Sequence, residues 1–146
     1  MPKLLVVYDS QTGNTEKMAE AVVEGAKSVP GVEVTLKYHV RPKELEEASA
    51  IIFGSPTYHH DMTLSIKNIL EEAAKASVQL RGKIGATFGS YGWSGEAPKL
   101  VLEVLKNKFG MRTIGSALTV LYTPDKSGLE QCRSLGKTVA EKIVDM

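Results

Sequence analysis

A chain of 146 residues with 18 basic and 17 acidic side chains carries a formal charge of +1, which argues against the strongly basic footprint of a nucleic-acid binder. Its 42% hydrophobic and 24% charged residues match a globular domain with one well-buried core, and no apolar run approaches the ~18 residues of a membrane span. The only cysteine, Cys132, excludes an intrachain disulfide.

The first apolar run, Leu4-Leu5-Val6-Val7-Tyr8, ends at Asp9 and is too short for a secretory leader, so a cytoplasmic protein is expected. It reads as a strand buried on both faces. The hexapeptide Ser10-Gln11-Thr12-Gly13-Asn14-Thr15 follows and leads into a helix with the stripe Ala19, Val22, Val23, Ala26. Val32 to Val40 alternates strictly, as a half-exposed edge strand does. A short helical turn is expected from Pro42 to Ala48, then a buried strand from Ala50 to Phe53. The next helix carries Ile66, Ile69, Leu70 and Ala73, and the fourth strand runs from Ile84 to Phe88. A helix with Ala97, Leu100, Val101, Val104 and Leu105 precedes a fifth strand expected over Ile114 to Tyr122. The last helix places Cys132 in line with Leu135, Val139 and Ile143, so Cys132 reads as a buried small hydrophobe.

Strands and helices alternate five times without repeats or linkers, so residues 1–146 form one domain. This pattern gives a parallel, doubly wound α/β sheet with right-handed crossovers. An edge-type second strand selects the order 2-1-3-4-5, which puts the switch point between strands 1 and 3. A ligand then belongs where the loops after strands 1, 3 and 4 converge.

The first loop is suited to a phosphate. Ser10, Thr12, Asn14 and Thr15 bring hydroxyl or amide donors, Gly13 permits tight curvature, and no residue is charged. A helix N-terminus adds unpaired N–H groups and partial positive charge. A plain helix cap is the simpler reading, yet a cap needs one such residue and this loop has four. No Gly-Lys-Ser/Thr closes the loop and no G-x-G-x-x-G occurs, which sets ATP and dinucleotide loops aside.

Val6-Val7-Tyr8-Asp9-Ser10-Gln11-Thr12-Gly13-Asn14-Thr15 resembles the FMN phosphate-binding signature of flavodoxins, and the resemblance covers the whole chain. It implies a flavodoxin-like three-layer sandwich with a five-stranded parallel sheet. It also implies noncovalently bound FMN and electron transfer between redox protein partners. Side chains of Ser10, Thr12, Asn14 and Thr15, with N–H groups of Gln11 and Gly13, would hold the phosphate. The fifth strand lacks a long insertion, as in short-chain flavodoxins, and the near-zero charge departs from their usual acidity. A monomer is expected.

Two further loops fit a flat tricyclic ring, which needs aromatic slabs and close backbone approach. The loop after strand 3 offers Pro56, Thr57, Tyr58, His59, His60 and Asp61; that after strand 4 offers Ser90, Tyr91, Gly92, Trp93 and Gly95. Trp93 is read as stacking on the ring, with Tyr91 or Tyr58 as further slabs. Phe88 to Ala97 particularly resembles the flavodoxin-like module of flavodiiron proteins, although no His-x-Glu-x-Asp run accompanies it. His59 and His60 have no nearby Cys or carboxylate cluster, so solvated histidines are expected rather than a metal site. Flavodoxins often carry a glycine in this loop whose peptide flips; Thr57 to Met62 has none. Any φ > 0 there would fall on His59, His60 or Asp61. Two alternatives stand beside the carrier: an FMN-dependent NAD(P)H:quinone oxidoreductase, for which the chain is short, and a non-redox receiver-like switch. The switch needs a clustered acidic pocket, and Asp9 stands alone after strand 1.

Overall fold

The computed structural model describes residues 1–145. In chain order the elements are β1 (Lys3–Tyr8), α1 (Asn14–Lys27), β2 (Glu33–Lys37), α2 (Pro42–Glu47), β3 (Ala50–Gly54), α3 (Leu64–Lys75), β4 (Ile84–Tyr91), α4 (Glu96–Asn107), β5 (Arg112–Thr113), β6 (Leu118–Leu121) and α5 (Lys126–Val144). The sheet is parallel throughout, in the order β2-β1-β3-β4-β5, and β6 also pairs with β4. This is the expected flavodoxin-like sandwich.

Alternation along the central strands divides the core in two. Leu4, Val6, Ala50, Ile52, Ala86 and Phe88 face α1 and α5 through Met18, Val22, Cys132 and Val139. Leu5, Val7, Ile51 and Phe53 face α3 and α4 through Ile66, Ile69, Val101 and Leu105. Every residue of β3 is buried, whereas β2 is half-exposed, as an edge strand must be. Cys132 is fully buried, and burial pushes its thiol up to about 12.

The fifth position in the sheet corrects the sequence expectation. The strand expected over 114–122 forms only as β6, Leu118–Leu121, with the two-residue β5 ahead of the expected range, because Gly115 takes φ 65° and exposed residues 115 and 116 leave the ladder. The register passes from Gly85↔Thr113 to Phe88↔Leu118, so two β4 residues stand opposite four on the outer chain. The extra pair bulges outward and the ladder resumes beyond it. β2 is shorter than expected, Glu33–Lys37 instead of 32–40, and β4 is longer, reaching Ser90 and Tyr91. Those two residues therefore sit on a strand end, held more firmly than a loop holds them.

Helices α1 and α5 touch backbone to backbone. A Cβ on Gly25 would lie 1.9 Å from the carbonyl oxygen of Arg133, and one on Gly136 would lie 1.9 Å from that of Val22. Neither position tolerates a methyl group without separating the helices. Gly136→Ala is expected to cost at least about 1–3 kcal/mol, the usual penalty of overpacking, measured by urea unfolding. An unchanged midpoint would contradict this packing.

Candidate functional site

Parallel pairing brings Tyr8, Gly54 and Phe88 side by side at the C-terminal edge of the sheet. The segments that follow, 9–15, 55–63 and 89–95, therefore meet at one edge, at the switch point between β1 and β3.

The first segment turns on Gly13, at φ 91°, whose N–H donates to Ser10 Oγ over 3.1 Å. Gly13 is the N-cap of α1 and supplies no side-chain acceptor, so the N–H groups of Asn14, Thr15 and Glu16 have no acceptor among the described residues. Thr15 is buried, and its Oγ1 lies 2.8 Å from Ser90 Oγ, tying α1 to the end of β4. Just ahead of the loop, the buried Asp9 carboxylate accepts the Tyr38 hydroxyl over 2.8 Å.

The second and third segments are stitched together at their bases. The Thr57 N–H donates to Ser90 O over 3.3 Å, and Thr57 Oγ1 accepts the Ala97 N–H over 2.9 Å, which caps the first turn of α4. At the tip, Tyr58 and Asp61 exchange two N–H···O bonds of 3.1 Å around His59 and His60, whose φ values are 53° and 62°. Two successive left-handed residues make the tight turn of a hairpin, and histidine tolerates that region better than β-branched residues do. Asp61 pairs with Lys67 on α3. Lys67 holds the Asp61 carboxyl below its usual range. The Nδ1–H of His60 donates to Glu96 Oε2 over 2.6 Å, with Ser94 Oγ 3.2 Å from the same nitrogen. Ser94 first, then His60, hold the Glu96 carboxyl below its usual range. The His60 ring also packs on Trp93, centroids 4.8 Å apart and planes tilted by 58°. Trp93 is otherwise open, 83% exposed.

A cleft runs between these segments. Its larger part, about 810 Å³, is walled by Gln11, Thr57, Tyr58, His59, Met62, Thr63, Leu64, Gly92, Trp93, Ser94 and Tyr122. A smaller recess of about 250 Å³ reaches Thr12, Asn14, Pro56, Ser90 and Tyr91 and shares Thr57, Tyr58, Gly92 and Tyr122 with it. Of the expected site residues, Ser10, Gly13, Thr15, His60, Asp61 and Gly95 support the cleft from behind or beside it. Gly95 packs so close to the Tyr91 ring that a Cβ would lie 3.1 Å from it. Burial, and then the Asp9 charge, raise the Tyr58 hydroxyl above its ordinary value.

Tyr122 escaped the sequence reading. It follows β6 at φ 57°, its N–H donates to Tyr91 O over 2.6 Å, and its ring lies against Gly92. The available signal was an aromatic residue at the C-terminal end of a strand, which doubly wound folds direct toward the ligand crevice. Met62, at the end of the expected loop, and Thr63 and Leu64 beyond it also line the cleft without having been named as site residues.

Residues 6–136 match the family model described as Flavodoxin. The chain belongs to the flavodoxin family. It is 36% identical to a flavodoxin of Aquifex aeolicus, over 98% of this chain and 88% of that one. It is 37% identical to the type A flavoprotein FprA of Rhodobacter capsulatus, over 96% of this chain but 33% of that protein, so it spans about a third of that relative's length. Among solved structures it resembles a flavodoxin from the domain Archaea, with TM-score 0.89 and 43% identity, over 97% and 99% of the two chains.

As a member of this family the chain is an FMN-binding electron-transfer domain. Its own features fit that cofactor. The recess presents uncharged donors and the uncapped end of α1, which suit a phosphate. The wider cleft has aromatic walls, and Thr63, on its wall, has a buried Oγ1 with no hydrogen-bond partner. No helix among the described residues is long and apolar enough to cross a membrane.

The Asp61–Lys67 pair gives a pH prediction. A carboxyl lowered in the folded state adds stability that is present above its unfolded value, about 4, and lost as pH falls through the folded value. Because both partners are well exposed, Lys67→Met is expected to lower the unfolding midpoint only slightly at pH 7, and by less at pH 2. Urea unfolding at the two pH values checks this.

Proposed function

We propose that this chain is a carrier flavodoxin that passes electrons between redox proteins and has no substrate of its own. The observation carrying this reading is the junction of two unlike surfaces. A recess of neutral donors at the N-terminus of α1 opens into an aromatic-walled cleft whose outer rim, at Trp93 and Tyr122, faces solvent. FMN bound there supplies acceptance and release of one or two electrons, and the protein supplies position and electrostatics. Thr12 and Asn14 would hold the phosphate with the N–H groups of Asn14, Thr15 and Glu16. Ser10 would shape that loop through Gly13, and the Thr15–Ser90 bond would fix α1 against β4. Tyr58, Tyr91, Trp93 and Tyr122 would frame the ring and keep water from its faces. The match to 88% of a curated flavodoxin and 99% of a solved one supports the carrier reading.

A second reading has its own support. The similarity to FprA extends to a solved flavodiiron protein from Giardia intestinalis, with TM-score 0.87 and 25% identity, over 98% of this chain and 36% of that one. On that reading the same cleft serves a separate catalytic protein as its electron-delivering module. The NAD(P)H:quinone oxidoreductase reading would need steady turnover of NADPH with a quinone by the pure chain.

Mixing the apoprotein with FMN is expected to quench flavin fluorescence and to leave a yellow protein after desalting. Riboflavin, which lacks the phosphate, should bind roughly a hundredfold more weakly, the worth of two charge-assisted hydrogen bonds. Asn14→Ala should narrow that gap. Equal affinity for the two flavins would remove the phosphate-loop assignment.

Negative charge near the cleft is sparse: Asp61 pairs with Lys67, which leaves Glu96, hydrogen-bonded to His60, and the buried Asp9. Uncompensated negative charge disfavours adding electrons, so a second reduction potential less negative than in acidic flavodoxins is expected. A redox titration measures it, and a value as low as theirs would contradict the expectation.

A further inference from the structure

His60 occupies an unusual position for an exposed side chain. Its backbone is left-handed, its ring rests on Trp93, and its Nδ1–H reaches Glu96 over 2.6 Å. Glu96 stands in the first turn of α4, while His60 is the third residue of the Tyr58–Asp61 hairpin. Side chains thus bridge the tips of the two loops that wall the cleft. Below them the loops are joined by the uncharged Thr57 bonds, which protonation does not alter. Glu96 Oε1 is shut off from solvent without a hydrogen-bond partner. That unmet acceptor leaves the carboxylate dependent on Oε2 and its partner for compensation.

We propose that His60 and Glu96 form a protonation-controlled latch across the cleft mouth that positions Trp93. This rests on the flavin-site reading of the cleft, and it concerns positioning, since His60 acts through Trp93 and Glu96. When the imidazole is neutral, one hydrogen bond joins the loops. When it takes up a proton, the same contact becomes an ion pair and the loops are held more firmly. Imidazole is the side chain that ordinarily changes charge between pH 5 and 8. The titratable groups around it are Glu96 on α4, His59 and Asp61 on its own turn, and Lys67 on α3, which neutralises Asp61. Tyr58, which walls the same cleft, has its hydroxyl raised above its ordinary value and stays uncharged in this range. Glu96 is therefore the one unneutralised anion of this set that His60 can meet.

Trp93 is the only tryptophan, so it reports the latch without any flavin present. Imidazolium quenches a neighbouring indole more strongly than neutral imidazole does. The apoprotein's emission is expected to fall as pH is lowered from 8 to 5, in a single transition. His60→Gln should abolish the transition, and His39→Gln, on the far side of Tyr38, should leave it intact. Glu96→Gln should shrink the transition, because the charged imidazole loses the carboxylate that holds it in place beside Trp93. A transition that survives in His60→Gln, or one of unchanged amplitude in Glu96→Gln, would overturn the latch. In the FMN complex, release by His60→Gln should be roughly two- to five-fold faster than wild type at pH 5.5. At pH 8 the two should be nearly equal. Taking the ratio at each pH cancels ionisation of the FMN phosphate itself, and an equal ratio at both would rule out control by protonation. Loss of FMN binding altogether would sink the carrier reading and leave the Trp93 transition to decide the latch alone.

Discussion

Two-sided burial of β1, β3 and β4 is the constraint on which the remaining structure depends. Their residues face helices on both sides, so neither a register slip nor a reversal can be absorbed by exposing one face. Parallel pairing then leaves no freedom over where the chain emerges. Tyr8, Gly54 and Phe88 end side by side, and three loops distant in sequence become one surface. The glycines between α1 and α5 serve the same end. By letting the helix backbones touch, they seat α1 so that its first turn points into the recess.

Polar groups at that edge do two separate jobs. Some are consumed in building it: Thr15 holds Ser90, Thr57 caps α4, and Ser10 accepts from Gly13. Others are left available, namely the first-turn N–H groups of α1 and the side chains of Thr12 and Asn14, while the buried Thr63 hydroxyl is an exception that neither group covers. The division follows from burial. Groups closed off from water must be paired within the protein, and those facing the cleft are the ones a ligand can satisfy.

Irregular backbone gathers at the same place. Of the four non-glycine residues at positive φ among the described residues, His59, His60 and Tyr122 belong to segments around the cleft, and the fourth, Ser77, follows α3. Such conformations are costly and persist where neighbours hold them. The reciprocal Tyr58–Asp61 bonds hold the histidine turn, and the bond to Tyr91 holds Tyr122. The rim of the cleft is thus less favoured locally than its floor, which suits segments that must adjust around a bound molecule.

The sequence by itself determined the layered fold, the strand order, the buried role of Cys132 and the three loops that meet at the cleft. Each is written in a local signal: apolar runs and alternation for strands, helical stripes for the two core faces, and uncharged hydroxyls with glycine for a phosphate loop. Even the candidates for left-handed backbone, His59 and His60, were legible from the missing glycine. Only the tertiary structure decided the break at Gly115, the reach of β4 to Tyr91, and the arrival of Tyr122 at the cleft. It also decided that Thr15 spends its hydroxyl on Ser90 and that His60 meets Glu96 and Trp93. The physical reason is range. Propensity and periodicity act over a few residues, whereas these contacts join positions 31 to 75 residues apart, and no nearby residue encodes the partner.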